Sequence, residues 1–148
     1  MVMKLITTTL LLILFTFVPC SAQNLNLKGG LAIEGYDPVS YFKGKPVEGT
    51  KEFNKQYQGG TYRFASAQNQ DEFAKNPDKY VPKYGGWCAY AMADGNKVSI
   101  DPETYKIIDG RLYLFYHTIL SNTLRKWNED EQNLHQKADA AWQKIDHN

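Results

Sequence analysis

The first apolar pattern in the chain is a continuous run. Leu5 to Val18 follows the lone charge of Lys4, contains only Thr7, Thr8, Thr9 and Thr16 as polar members, and ends at Pro19. A short positive segment, an apolar stretch and small residues before a cut are the parts of a secretory signal. Cys20-Ser21-Ala22 places small residues three and one positions before a cut between Ala22 and Gln23. The run is shorter than the ~20 apolar residues of a membrane span. A retained anchor helix and a lipid-anchored Cys20 are the competing readings, and Pro19 disfavours the second. Residues 1–22 are thus expected to be a signal peptide, and the remainder an exported protein, periplasmic or extracellular, with no membrane span.

Beyond that run the pattern becomes short and alternating. Residues 23–30 are polar, end in Gly29-Gly30, and suggest a flexible lead-in. Gly35-Tyr36-Asp37-Pro38-Val39 predicts an ordered turn, because Pro38 fixes its own φ and holds Asp37 extended. Glu52–Tyr57 and Thr61–Phe64 alternate polar and aromatic positions on either side of Gly59-Gly60, which predicts a hairpin. Ser66 is placed to cap a helix over 67–75 that turns Phe73 inward, and Asn76-Pro77 stops it. The Ala-rich stretch after Gly85-Gly86 predicts a short helix over 87–93, closed by Gly95. Asp109-Gly110, between Tyr105–Ile108 and Arg111–Tyr116, predicts a second hairpin. Leu120, Leu124 and Trp127, then Leu134, Ala138, Ala141 and Ile145, recur at helical spacing. Asn128 followed by Glu131 resembles a capping box and predicts a break near 128. The expected organisation is a domain over 31–127 and a C-terminal helix within 128–148. The expected fold class is α+β: two hairpins in a small antiparallel sheet, covered by short helices and closed by C-terminal helices.

Charge and cysteine content narrow the function classes. Loss of residues 1–22 removes one of 17 basic residues and none of the 16 acidic ones, leaving no net charge. That balance argues against nucleic acid or an anionic membrane as the main partner. All 10 Tyr, all 3 Trp and most Phe lie beyond residue 22, so a core of large rings is expected. Without Cys20, Cys88 is the only cysteine, and no disulfide can form within one chain.

Several stretches occur together and in order: Gly35-Tyr36-Asp37-Pro38-Val39, Tyr62-Arg63-Phe64-Ala65-Ser66, Phe73, Asn76-Pro77 and Tyr80. Together they resemble the YHS domain family. Tyr84-Gly85-Gly86-Trp87-Cys88-Ala89 and Ile108 to Leu114 resemble an exported, single-domain bacterial branch of it, over roughly residues 31–127. The resemblance implies a small α+β domain. In metal-handling YHS domains cysteines imply a soft-metal site, but the matching positions here hold Ser40, Ala65 and Asn69. None supplies a thiolate, so that site does not carry over.

The candidate residues are few. Cys88 follows two glycines, and in the first turn of a helix its thiolate would be stabilised; the alternative is a buried, inert thiol. Gly86 and Gly85 would let a ligand or another strand approach the backbone closely. His117, with Cys88, could form a two-ligand copper or zinc site, completed by Asp37 or Met92; a histidine bonded to backbone at a helix start is the plainer reading. Asp37 is a candidate base or ligand, though an Asp before Pro more often holds a turn. Tyr36, Tyr41, Tyr62 and Tyr90 could line a pocket, but aromatic positions at strand and helix spacing are usually core. There is no supported catalytic set. The expected function is a non-enzymatic module that binds a soft metal or small ligand at Cys88, Trp87, Gly86, Asp37 and Tyr36. A thiol redox protein using Cys88 and a structural or interaction domain are the alternatives.

Overall fold

The computed structural model describes residues 24–147; the expected signal peptide and Cys20 lie outside them. The described chain has mixed α+β content. Strands β1 (Leu27–Lys28), β2 (Leu31–Ala32), β3 (Thr50–Tyr57) and β4 (Gly60–Phe64) form one sheet in the order β1-β2-β4-β3. Within it β2 runs parallel to β4, with Leu31 opposite Thr61. Strands β5 (Asp101–Ile108) and β6 (Arg111–Phe115) pair separately, as do β7 (His117–Thr118) and β8 (Ser121–Asn122). The helices are α1 (Ala67–Lys75), α2 (Pro77–Tyr80), α3 (Ala89–Met92), α4 (Thr123–Glu129) and α5 (Glu131–Asp146). Among the described residues no helix is long and apolar enough to cross a membrane.

Both expected hairpins form, each with positive φ at two turn residues, the backbone that matches the strand twist. At the second turn these are Asp109 (+49°) and Gly110 (+70°), and at the first they are Gln58 (+48°) and Gly59 (+90°). Gly60 therefore opens β4 and is not a turn residue. The two hairpins do not share a sheet, which corrects the single-sheet expectation. Strand β6 of the second hairpin is covered on both faces. Its Leu112 and Leu114 join a core with Val39, Tyr62, Phe64, Phe73 and Tyr80, while Tyr113 and Phe115 join a second core with Tyr84, Met92, Trp127 and Ala138. Alternate residues of a strand point to opposite faces, so one strand divides two cores. Full burial of each such large side chain is worth roughly 1.5–3 kcal/mol.

Helix α1 begins where Ser66 predicts: its side chain accepts from the Asn69 N–H. Phe73 is wholly buried and packs against the rings of Tyr57, Tyr62, Phe64 and Tyr80. Three other expectations are corrected. Leu120 is not on a helix face; it sits with Ile119 at the tip of the β7–β8 hairpin, because Asn122 caps α4 by accepting from Arg125 N–H. The break between the last helices falls at Asp130, not Asn128. The Asn128 side chain instead accepts from Lys106, which also pairs with Glu131. Finally, the lead-in is tied down over 24–28: β1 pairs with β2, and Asn26 N–H donates to the Gly85 carbonyl at 2.9 Å.

Candidate functional site

Tyr84, Gly85 and Gly86 all have positive φ (+56°, +61° and +83°). Trp87 is extended, and Cys88 stands outside α3 as its N-cap, giving its N–H to the Val98 carbonyl. The expected helix over 87–93 is therefore shortened to four residues, Ala89–Met92. Its end is as expected. Asn96 N–H reaches back to Ala91 and Gly95 N–H to Met92, a Schellman closure around a left-handed glycine.

The Cys88 thiol does not lie in a helical first turn and does not reach solvent; the residue is 0 % exposed. Its sulfur accepts from Tyr116 N–H at 3.3 Å and lies 3.4 Å from Thr123 Oγ1. The Thr123 hydroxyl gives its single proton to the Tyr116 carbonyl at 2.7 Å, so the thiol must be the donor to Thr123. Cys88 is a hydrogen-bonded link between the start of α3, the residue after β6, and α4. Of the two readings of Cys88, a thiolate held in a helical first turn and a buried thiol, the structure supports the second.

His117 is exposed on β7 and bonds elsewhere. Its Nδ1 lies 3.2 Å from Thr104 Oγ1 and 3.4 Å from Asp101 Oδ2. Among the described residues nothing bonds His117 to Cys88, and no group of three or more His, Cys, Asp or Glu is arranged to hold a metal ion. Met92 lies in the second core.

Asp37 is wholly buried and supports a turn. One carboxylate oxygen accepts from Val39 N–H at 2.8 Å. The other accepts from Ala65 N–H at 2.9 Å and from the Asn69 carboxamide at 2.6 Å. Ser40 Oγ donates to the Asp37 carbonyl at 2.7 Å. Ser40, Ala65 and Asn69 are the positions where the resemblance places metal-binding cysteines. Here Ala65 and Asn69 hydrogen-bond the Asp37 carboxylate and Ser40 bonds its backbone carbonyl, and that set of groups does not fit a soft metal. Tyr36 bridges Glu48 through its backbone; burial first, then Glu103, Glu48 and Asp101, push its phenol pKa up.

The close approach at the glycines is used, but by the chain itself. Asn26 Nδ2 donates to the Gly86 carbonyl at 3.0 Å, and Trp87 Nε1 donates to the Asn24 carbonyl at 2.8 Å. Asn24 also donates to the Ile145 carbonyl at 3.0 Å and accepts from Lys97. A Cβ at Gly85 would lie 2.5 Å from the Asn24 carbonyl oxygen. The residues 24–26 thus form a strap across Gly85–Trp87 that ties the C-terminal end of α5 to the domain.

Beside this strap opens a cleft of about 370 Å³ that sequence reasoning missed. Tyr62, Tyr84 and Trp142 give it aromatic walls, Leu25 of the strap closes one side, and Arg111 lines it at the start of β6. The Arg111 Nε atom is buried without a hydrogen-bond partner. A buried, unpaired donor is costly. Lys83, Asp78 and Asp146 complete the polar lining. Asp78 accepts from the Tyr57 hydroxyl, and Lys83 stands 4.0 Å from Asp139. The Tyr84 hydroxyl donates to Asp139 at 2.8 Å; burial and then that bond push its pKa far up, so it stays a neutral donor. Of the cleft's walls the sequence offered Tyr62 as an aromatic pocket candidate, while Arg111 directly after a tight turn was passed over. Its other walls come from segments far apart in the chain.

These features belong to a small α+β domain without a thiolate site. Residues 37–84 match the model of the YHS domain, and over that stretch the chain is similar to it. The match takes in Asp37, Ser40, Ala65, Asn69, Tyr62 and Tyr84, while Cys88, Arg111 and α5 lie beyond it. No curated protein matches the chain, and no solved structure matches it.

Proposed function

We propose that this is an exported, non-enzymatic binding domain whose small-ligand seat is the cleft beside the strap rather than Cys88. The observation that supports it is a cleft of about 370 Å³ with aromatic walls, lined by Arg111, whose Nε is buried without a hydrogen-bond partner. Ligand seats are concave and equipped with a few convergent polar groups, and this volume lies in their usual range. A soft-metal reading at Cys88 and His117 has less behind it. The thiol is sealed and hydrogen-bonded, and His117 is engaged with Thr104 and Asp101.

Tryptophan fluorescence tests the proposal, because Trp142 lines the cleft. Wild type, Arg111→Gln and Cys88→Ser are titrated with a panel of small carboxylic acids, amines and amino acids, and separately with zinc and copper(I). Saturable binding of a panel member, lost in Arg111→Gln and kept in Cys88→Ser, is the expected result. Binding that survives Arg111→Gln and disappears in Cys88→Ser would return the site to the thiol.

A further inference from the structure

The cleft carries opposite charges that do not neutralise one another. Arg111 and Lys83 are its cations, Asp78 and Asp146 its anions. Asp78 is engaged by the Tyr57 hydroxyl. Lys83 is drawn towards Asp139 and lies over the Tyr84 ring, 5.6 Å from its centroid. That leaves Arg111 and Asp146. Both line the cleft, and among the described residues no ion pair joins them. Asp146 is the last residue of α5, a helix of 16 residues. A helix C-terminus carries partial negative charge, so the carboxylate and the helix end both favour a cation there. The Arg111 guanidinium in the same cleft favours a carboxylate, which it can grip through two parallel bonds. Tyr62, Tyr84 and Trp142 line the same cleft.

Resting on the reading of this cleft as a ligand seat, we infer that its ligand is a small zwitterion with an apolar body: a free α-amino acid with an aromatic or large aliphatic side chain. The carboxylate lies against Arg111, the ammonium faces Asp146, and the side chain packs on the rings. A purely anionic ligand would meet the uncompensated field of Asp146, and a purely cationic one that of Arg111. The strap belongs to the same site, since Leu25 forms a wall and Asn24 holds the end of α5 through Ile145.

Calorimetric titration of the protein with L-phenylalanine, 3-phenylpropionate and phenethylamine tests this. The three share a body and differ only in which charges they carry. Phenylalanine is expected to bind at least about tenfold more tightly than either analogue. Arg111→Gln should erase its advantage over phenethylamine, and Asp146→Asn its advantage over 3-phenylpropionate. Melting curves of both variants establish that they are folded, and the comparison among ligands on wild type stands without them. Equal binding of all three overturns the zwitterion inference and leaves the cleft a ligand seat. Absence of binding by all three also overturns it. The reading of the cleft itself fails only if no member of the wider panel binds in an Arg111-dependent way.

Discussion

The Asn69 carboxamide donates to the Asp37 carboxylate at 2.6 Å in the interior of the domain. Two loops far apart in sequence are joined there: the turn before Ser40 and the first turn of α1. Asp37 also holds Val39 and Ala65 N–H, so its removal strands three donors at once. Asp37→Ala is expected to lower stability by about 3 kcal/mol or more, and Asn69→Ala by about 1–2 kcal/mol. Chemical denaturation measures both. An Asp37→Ala protein as stable as wild type would mean that the turn is held by Pro38 alone.

Cys88 should behave as a core residue. Alkylation of the native protein is expected to be negligible from neutral to mildly alkaline pH and to become complete on unfolding, because the sulfur is both buried and bonded. Cys88→Ser should abolish the alkylation and cost about 1–3 kcal/mol, since a shorter oxygen cannot keep both contacts at sulfur distances. Rapid modification of the folded protein would overturn the buried reading.

Gly85 is the position where the strap depends on a missing side chain. Its φ is +61°, and an added Cβ would lie 2.5 Å from the Asn24 carbonyl oxygen and 2.9 Å from Trp142. Gly85→Ala is expected to displace the strap and cost about 1–3 kcal/mol. The Trp87 indole would lose its acceptor at Asn24. Hydrogen exchange at the Trp87 Nε1–H should accelerate accordingly. Exchange as slow as in wild type would show that the strap tolerates the substitution.

High pH should unfold the domain. Burial pushes the Tyr113 phenol from its ordinary value of 10.0 up to about 12, with Asp139 adding to the shift. Burial raises Tyr41, Tyr62 and Tyr84 further still. A raised folded pKa means the folded state keeps protons that the unfolded chain has released. The stabilisation is therefore complete below about pH 10 and is lost as pH rises above it. Ultraviolet titration of tyrosine ionisation should show a group of late phenols appearing together with loss of structure. Smooth ionisation of all tyrosines near pH 10 in a protein that stays folded would contradict the burial of these rings.

Local elements were legible in the sequence wherever one residue type dictates the backbone. Ser66 capped α1, Asp109-Gly110 made a hairpin, Asn76-Pro77 ended a helix and Gly95 closed one. What the sequence hid was long-range. Nothing in the alternation of β6 told that both its faces are covered, because Tyr113 can occupy either a wet or a dry face. The polar residues of the lead-in gave no sign that Asn24 and Asn26 would satisfy Gly85, Gly86, Trp87 and Ile145. The Gly-Gly-Trp-Cys stretch drew attention to the thiol, while its glycines serve the strap. Of the expected site residues, Trp87 and Gly86 contact that strap and Asp37 holds a turn. The cleft lined by Tyr62, Arg111 and Trp142 is assembled from stretches far apart in the chain, and no spacing rule joins them.

The central claim is that the ligand seat is the Arg111 cleft and not the thiol. Nitrogen-15 correlated spectra of wild type, recorded while L-phenylalanine or the tightest ligand of the panel is added, test it most directly. The account predicts that the Arg111 side-chain Nε–H and the Trp142 Nε1–H shift together and saturate at one affinity, while the Tyr116 and Thr123 amides beside Cys88 stay in place. Shifts that centre on Tyr116 and Thr123 and leave Arg111 and Trp142 unmoved would contradict it.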